Sequence, residues 1–169
     1  MASGKTTFGR ALAKKTGWKF IDIDQETERR EGKSVSDIIA DEGEEYFRRA
    51  ESRTLKETAS MTKTVIACGG GTPCYRDNME FMTLHGQTLW LIASPERIAE
   101  RILEAGPTRP LVAGRRGEDL TEFIKAHLRQ RQPHYCKALW RLDSEHLESE
   151  EEIERTVTEF LTKTSFNTK

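Results

Sequence analysis

The sequence predicts an α/β fold built on a parallel sheet. Short apolar runs alternate with longer amphipathic segments along the 169 residues, and no internal repeat or linker divides them. The runs at 64–68 and 88–93 are nearly continuously apolar, which is typical of parallel strands covered on both faces. We therefore expect one domain over residues 1–163, followed by a polar tail at 164–169.

Each element of this fold has a local signal. Apolar runs predict strands at 18–24, 64–68, 88–93 and 139–142. Apolar residues at helical spacing predict helices at 5–16, 34–42, 44–60, 95–104, 120–128 and from 150 onward. Ser34, Ser94 before Pro95, and Ser149 with Glu152 are predicted N-terminal caps, the last pair forming a capping box.

Composition excludes several classes of protein. With 27 Lys and Arg against 28 Asp and Glu, the formal charge is −1, which argues against nucleic-acid binding by bulk positive charge. No apolar run approaches the roughly 20 residues of a membrane span, and the polar start is unlike a signal peptide. The three cysteines lack the C-x-x-C spacing of zinc sites. We expect a cytoplasmic monomer without nucleic-acid or membrane partners.

The first seven residues match the back half of the phosphate-binding motif G-x-x-x-x-G-K-[ST]. In that loop, backbone N–H groups face the phosphates, the lysine reaches the terminal phosphates and the threonine hydroxyl binds Mg²⁺. The motif's first glycine and the strand before it would lie upstream of Met1. On this motif alone, the alternative to a phosphate-binding loop is a Gly-Lys-Thr sequence that occurs by chance at the start of a helix.

Downstream residues suit phosphate chemistry. Asp22 and Asp24 lie at the carboxyl end of a predicted strand, where open α/β sheets bind ligands. Strand alternation would point both carboxylates the same way, one toward a metal and one toward a substrate hydroxyl. The alternative is acidic residues favoured by a helix N-terminus. The glycines at 69–71 permit close approach of an anion or a sugar-like ring, or else form a flexible turn.

Two arginine-bearing segments complete the pattern. Arg48 is followed by Glu51 one helical turn later, close enough for the carboxylate to hold the guanidinium, although a solvated surface pair has the same spacing. Residues 106–118 lack periodicity and contain glycines, prolines and arginines. Such a stretch predicts a mobile functional loop, the alternative being a disordered insertion.

Together these residues resemble shikimate kinases, P-loop enzymes of the nucleoside monophosphate kinase-like group. The resemblance extends from Met1 to about Leu142 and is carried by Gly4-Lys5-Thr6-Thr7, Asp22 and Asp24, the segment 42–51, Gly69-Gly70-Gly71 and Arg109-Pro110-Leu111. It implies a three-layer P-loop kinase fold with a parallel five-stranded sheet, whose first and central strand would precede Met1. It also implies transfer of the ATP γ-phosphate to the 3-hydroxyl of shikimate, with Mg²⁺, on the route to chorismate and aromatic amino acids.

The resemblance assigns a role to each site residue. Lys5 and Arg109 would stabilise the transferring phosphoryl group, with Arg109 on a lid at about 106–118, and Asp24 would contact the shikimate hydroxyls as general base. Thr6 and Asp22 would hold Mg²⁺. The shikimate pocket would comprise Asp24, Arg48, Gly69, Gly70, Gly71 and Arg131, the two arginines gripping the carboxylate. The ATP site would comprise Met1, Ala2, Ser3, Gly4, Lys5, Thr6, Thr7, Arg101 and Arg109.

Two other interpretations stay open at this point. One is a related small-molecule kinase of the same fold, such as a gluconate-type kinase. The other is a truncated, non-catalytic nucleotide-binding paralogue. If Met1 is the true start, we expect lower stability and impaired ATP binding. Because the total charge is near zero, we expect Lys5, Arg48, Arg109 and Arg131 to converge on one cleft.

Overall fold

The computed structural model describes residues 2–105 and 116–164, and within them the fold is α/β. The strands are β1 (Lys19–Asp22), β2 (Thr64–Ala67), β3 (Leu89–Ile92) and β4 (Trp140–Asp143). The helices are α1 (Lys5–Thr16), α2 (Ile23–Glu31), α3 (Val35–Glu42), α4 (Glu44–Glu57), α5 (Asn78–His85), α6 (Pro95–Glu104), α7 (Gly117–Tyr135) and α8 (Glu150–Lys163). Short 3₁₀ turns follow α4 and precede α5.

The strands form two separate parallel pairs. β1 pairs with β2, in the register Lys19 opposite Thr64, and β3 pairs with β4, in the register Leu89 opposite Trp140. β2 and β3 are not hydrogen-bonded to each other, and both line one cavity. The parallel direction is as predicted, whereas the five-strand count stays a prediction.

Helix α1 carries the phosphate-loop motif and is held from two sides. Its buried face contains Phe8, Leu12 and Ala13, and Phe8 meets Phe160 of α8 edge-to-face at 5.8 Å between ring centroids. Gly17 ends the helix with φ of 71°, a left-handed conformation that costs glycine little. Packing against α8 and β2 therefore fixes the N-terminus of α1.

Helix boundaries follow the capping signals. Ser34, Ser94 and Ser149 each accept a backbone N–H at a helix start, and the Ser149–Glu152 capping box is formed, so these predictions are confirmed. The predicted helix at 120–128 is longer, because α7 already begins at Gly117 and continues to Tyr135 with Pro133 inside it. Residues 117 and 118 of the predicted lid are thus helical, and 106–115 lie outside the described residues.

The strand predicted at 18–24 ends earlier, at Asp22. The Asp22 side chain accepts the N–H of Asp24 at 3.1 Å and so caps α2, which begins at Ile23. The prediction that strand alternation aligns the two carboxylates is therefore wrong: a cap and a helical turn bring them together. Helix α2 escaped prediction because its buried residues are only Ile23 and Thr27.

Across the described residues, none of the helices combines the length and the apolar character needed to cross a membrane.

Candidate functional site

The N-terminus of α1 builds an anion-binding turn. Gly4 precedes the helix with φ of 83°, and a Cβ there would lie 2.7 Å from Leu147 Cδ1, so both backbone and space favour glycine. Lys5 follows in the first turn; burial raises the pKa of the Asp24 carboxyl, and the positive charge of Lys5 opposes that rise. A helix N-terminus with a lysine is suited to phosphate.

Thr6 and Asp22 offer oxygen ligands side by side. The Thr6 hydroxyl donates to Asp22 Oδ2 at 3.2 Å, across from α1 to the end of β1. Hydroxyl and carboxylate oxygens are the hard donors that Mg²⁺ prefers, usually completed by water and substrate phosphates. The residues present therefore fit the predicted magnesium site.

Asp24 is a carboxyl in an environment that favours its protonated form. Burial, together with the nearby charges of Glu51 and Asp22, raises its pKa to about 6, against the opposing charges of Lys5 and Arg48. A carboxyl with a pKa in this range is poised to accept a proton near neutral pH. Strongly perturbed carboxyls of this kind are concentrated at functional sites.

Glu51 organises the centre of the site and is completely buried. Its Oε2 accepts Arg48 Nη1 at 2.7 Å, and its Oε1 accepts the Thr72 hydroxyl at 2.5 Å. Both carboxylate oxygens therefore have partners, as a buried charge requires. The i,i+3 spacing predicted the Arg48 pair, but a hydrophilic segment such as 44–57 gives no sign that Glu51 is buried.

Glycine is required in the run after β2 because side chains of the site pack closely against its backbone. A Cβ at Gly69 would lie 2.8 Å from Asp24 Oδ1 and 2.8 Å from Glu51 Oε1. A Cβ at Gly71 would lie 2.6 Å from Arg48 Cζ, so the guanidinium rests against that backbone. The run thus brings the Asp24 carboxylate and the Arg48 guanidinium to the same few residues of backbone.

Helix α7 closes the other side of this pocket. The Tyr135 hydroxyl donates to the Gly70 carbonyl at 2.6 Å, and the Tyr135 ring packs on Trp90 at 5.7 Å between centroids. Burial raises the pKa values of both Tyr135 and Cys74, and the positive charge of Arg131, one turn earlier than Tyr135, opposes that rise. Tyr135 and Thr72 are site residues that sequence reasoning missed, because neither belongs to a phosphate-binding pattern.

Two predicted residues lie outside the described part of the chain, namely Met1 and Arg109. Arg101 lies on α6 and is tied to neighbouring structure. Its Nη2 donates to the Ser144 carbonyl at 2.8 Å and to Glu148 Oε1 at 2.7 Å, and its Nη1 reaches the Ala2 carbonyl at 3.5 Å. These bonds join α6 and the segment after β4 to the phosphate loop, so Arg101 borders the predicted ATP site while serving a structural role.

The arrangement can bind two ligands next to each other. The α1 N-terminus with Lys5 suits a polyphosphate, and the pocket of Arg48, Arg131 and the glycine run suits a small carboxylate. Asp24 is near enough to both parts for the charges of Lys5 and Arg48 to act on it. Of the four cations expected to converge, Lys5 and Arg131 line one cavity with Gly69 and Gly70, and Arg48 lies against Gly71. Arg109 lies outside the described residues.

Comparison with known proteins gives a consistent result. The family profile described as shikimate kinase matches residues 1–162. A shikimate kinase of Parabacteroides distasonis is 44% identical over 153 residues, which cover 90% of this chain and 88% of that protein. A shikimate kinase of Bacteroides thetaiotaomicron is 38% identical over 157 residues, covering 93% of this chain and 90% of that protein.

Solved structures agree with these relatives. The crystal structure of shikimate kinase from Bacteroides thetaiotaomicron superposes with a TM-score of 0.94 at 36% identity, covering 98% of this chain and 94% of that one. Shikimate kinase from Acinetobacter baumannii, in complex with shikimate, superposes with a TM-score of 0.83 at 30% identity, covering 96% of this chain and 87% of that one. The three-layer P-loop kinase fold predicted from the sequence is thereby confirmed.

Proposed function

The chain belongs to the shikimate kinase family, and we propose that it transfers the γ-phosphoryl group of ATP to the 3-hydroxyl of shikimate. The observation that carries this proposal is the meeting of Asp24, Arg48 and the glycine run beside Lys5. A base, a carboxylate clamp and a phosphate-binding helix start are the parts that phosphorylation of a hydroxy acid requires. This places the chain in the synthesis of chorismate and aromatic amino acids.

The shikimate carboxylate would be held by Arg48 and Arg131. A guanidinium forms two parallel hydrogen bonds with a carboxylate, so it fixes orientation as well as charge. Arg48 is pre-oriented for this because the buried Glu51 holds one of its nitrogens at 2.7 Å and Gly71 supports its plane. The clamp sets the distance from the carboxylate to the reacting hydroxyl.

Asp24 would act as general base. As the hydroxyl oxygen forms its bond to the γ-phosphorus, the bond from that phosphorus to the bridging oxygen breaks and ADP leaves. The hydroxyl proton passes to an oxygen of the Asp24 carboxylate, which has a pKa of about 6 and is therefore mostly ionised at neutral pH. Lys5 would stabilise the negative charge on the transferring group.

Thr6 and Asp22 would hold Mg²⁺ through their adjacent oxygens. When bound, the ion would neutralise charge on the β- and γ-phosphates of ATP. The backbone of Ala2, Ser3, Gly4 and Thr7 would surround these phosphates. Arg101 would bind beside the nucleotide, and we propose Met1 and Arg109 as further residues of the ATP site.

The proposal also covers the domain boundaries, the lid and the oligomeric state. We propose a single catalytic domain over 1–163, a lid at about 106–118 that closes over the phosphates with Arg109, and a polar tail at 164–169. Closure would exclude water and so limit hydrolysis of ATP. The protein would act as a cytoplasmic monomer whose partners are ATP, Mg²⁺ and shikimate.

A substrate panel tests the proposal. ADP release is measured by a coupled assay with shikimate, quinate, gluconate and nucleoside monophosphates, each at several concentrations. We expect saturable release with shikimate and background rates with the others. Release with gluconate alone would identify a gluconate-type kinase. ATP binding without turnover of any member of the panel would identify a non-catalytic nucleotide-binding protein.

A further inference from the structure

The last turn of α7 holds Tyr135 against the glycine run. The Tyr135 hydroxyl donates to the Gly70 carbonyl at 2.6 Å, and its ring packs on Trp90 of β3 at 5.7 Å between centroids. Because the ring is packed and the hydroxyl is bonded, few rotamers of this side chain satisfy both contacts. Tyr135 therefore fixes the end of α7 relative to the glycine run.

Carbonyl groups of the glycine run accept bonds from the turn that follows it and from α7. Thr72 N–H donates to the Gly69 carbonyl at 3.1 Å, and the Cys74 thiol donates to the Gly70 carbonyl at 3.8 Å. The bond from Tyr135 to Gly70 differs from these two because it comes from an element more than sixty positions away along the chain. It is the bond that joins the run to α7.

Arg131 lies one helical turn before Tyr135 on α7, and both residues line one cavity with Gly70. Burial raises the pKa of the Tyr135 hydroxyl, while the positive charge of Arg131 and a side-chain hydrogen bond from it oppose that rise. The net shift is upward, so the hydroxyl keeps its proton at neutral pH. It therefore donates this proton to Gly70 while its oxygen accepts from the guanidinium.

Pro133 lies inside α7 between these two residues. Proline has no N–H, so the helix lacks the backbone bond that position 133 would donate to the Arg129 carbonyl. The turn that carries Arg131 is therefore held less firmly by its own backbone than a turn of an uninterrupted helix. The bond from Tyr135 to Gly70 supplies a fixed point just beyond the proline.

The two arginines of the carboxylate clamp have acceptors of different charge. Arg48 donates to the buried carboxylate of Glu51 at 2.7 Å. Arg131 meets the neutral hydroxyl of Tyr135. A neutral acceptor orients a guanidinium without cancelling its charge, so Arg131 keeps its attraction for an anionic ligand.

We propose that Tyr135 is a positioning residue for substrate binding, whose hydroxyl holds the Arg131 guanidinium beside the glycine run so that Arg131 and Arg48 meet the same carboxylate. This role rests on the proposed function, since the carboxylate is that of shikimate. Tyr135 acts through Arg131 and does not contact the phosphate-binding residues. Loss of the hydroxyl should therefore weaken the use of shikimate and leave the use of ATP unchanged.

Tyr135→Phe tests this role because it removes the hydroxyl and keeps the ring that packs on Trp90. We expect the KM for shikimate to rise and its kcat/KM to fall about tenfold, while the KM for ATP changes by less than about twofold. Tyr46→Phe is the matched control. It removes a hydroxyl that donates to Glu31 at 2.8 Å, and neither residue lines the cavity, so both KM values should equal those of the parent chain.

A double-mutant cycle with Arg131→Ala shows whether Tyr135 acts through the arginine. With Arg131 already removed, Tyr135→Phe should change kcat/KM for shikimate by less than about twofold. A tenfold fall in both backgrounds would overturn the role, because the hydroxyl would then act independently of Arg131.

The parent chain separates this role from the proposed function. If the parent phosphorylates shikimate and Tyr135→Phe leaves the KM for shikimate unchanged, the role of Tyr135 is overturned and the proposed function stands, whether or not Tm falls. If the parent neither binds shikimate in calorimetry nor phosphorylates it, the proposed function is refuted, and the role of Tyr135 with it.

Discussion

Arg48 Nη1 donates to Glu51 Oε2 at 2.7 Å, and Glu51 is completely buried beneath it. The pair is more than an ion pair of a helix surface, because Glu51 also accepts the Thr72 hydroxyl and lies against Gly69. A buried anion therefore holds the guanidinium at Nη1, while its Nε and Nη2 donate to Oε1 of the exposed Glu44 at 3.4 and 3.3 Å. The same anion raises the pKa of Asp24, so Glu51 links substrate binding to the base.

Glu51→Gln should weaken shikimate binding and shift the pH profile. The amide retains the shape of the side chain but leaves Arg48 without its buried counter-ion. We expect the KM for shikimate to rise about tenfold, equivalent to about 1.4 kcal/mol. Because the Glu51 charge raises the pKa of Asp24, its loss should move the acidic limb of kcat/KM to lower pH.

Glu45→Gln is the matched control for this variant. Glu45 lies on the same helix, is 63% exposed and pairs with Arg76 away from the pocket. Its KM and pH profile should equal those of the parent chain. A Glu51→Gln variant with an unmoved acidic limb would contradict the link between Glu51 and Asp24.

Asp24→Asn should abolish most turnover while leaving ATP binding intact. Removal of a positioned general base costs about a hundredfold to ten-thousandfold in rate. Turnover is measured by ADP release with shikimate, and ATP binding by calorimetry. Near-normal turnover in this variant would remove Asp24 from the role of base.

The same substitution should stabilise the folded chain at neutral pH. The Asp24 pKa is about 6 in the fold against an ordinary value of 3.8, so the folded state binds this proton more tightly than the unfolded state. The free energy of unfolding therefore falls as pH rises through this window. Asp24→Asn removes that cost, and we expect a gain of about 1–3 kcal/mol in urea unfolding at neutral pH and no gain below the ordinary value. Equal stability of both chains at neutral pH would contradict the raised pKa.

Gly71→Ala should act through Arg48 rather than through the fold. Its Cβ would lie 2.6 Å from Arg48 Cζ, so the guanidinium must move. We expect the KM for shikimate to rise at least about tenfold, with little change in the KM for ATP. Gly86→Ala is the control, since its Cβ would lie no nearer than 3.9 Å to Met82 O. Equal rises in both KM values would indicate a general distortion instead.

Thr6→Val should raise the Mg²⁺ requirement. The substitution keeps the β-branched shape and removes the hydroxyl that bonds to Asp22 at 3.2 Å. Loss of one oxygen ligand should raise the Mg²⁺ concentration for half-maximal rate by about tenfold at constant free ATP. An unchanged Mg²⁺ dependence would show that Thr6 does not bind the ion.

Secondary-structure elements were predicted most accurately where their signal lies within a few neighbouring residues. The caps at Ser94 and Ser149 depend on neighbouring residues only, so they could be predicted from the sequence and are confirmed. Helix α2 could not, because its position depends on Asp22 acting as a cap at the end of β1 rather than as a strand residue. Which strands pair, and the gap between β2 and β3, depend on contacts distant in sequence.

In the candidate site, too, some residues could be predicted from local sequence patterns and others could not. Gly4, Lys5 and the glycine run stand out because a motif or a backbone requirement restricts their identity. The buried state of Glu51 and the bond from Tyr135 to Gly70 depend on how α4 and α7 pack around the pocket. Neither feature produces a pattern in the spacing of neighbouring residues, so neither could be predicted from the sequence.

The pH dependence of shikimate phosphorylation reports on whether the Asp24 carboxylate accepts the hydroxyl proton. Shikimate-dependent kcat/KM should be level near neutral pH and fall about tenfold per pH unit below the Asp24 pKa of about 6. In Asp24→Asn this limb should be absent from the small residual rate. A parent chain that phosphorylates shikimate with no acidic limb near this pKa would contradict the role of Asp24 as base, and one that does not phosphorylate shikimate at any pH would contradict the proposed activity.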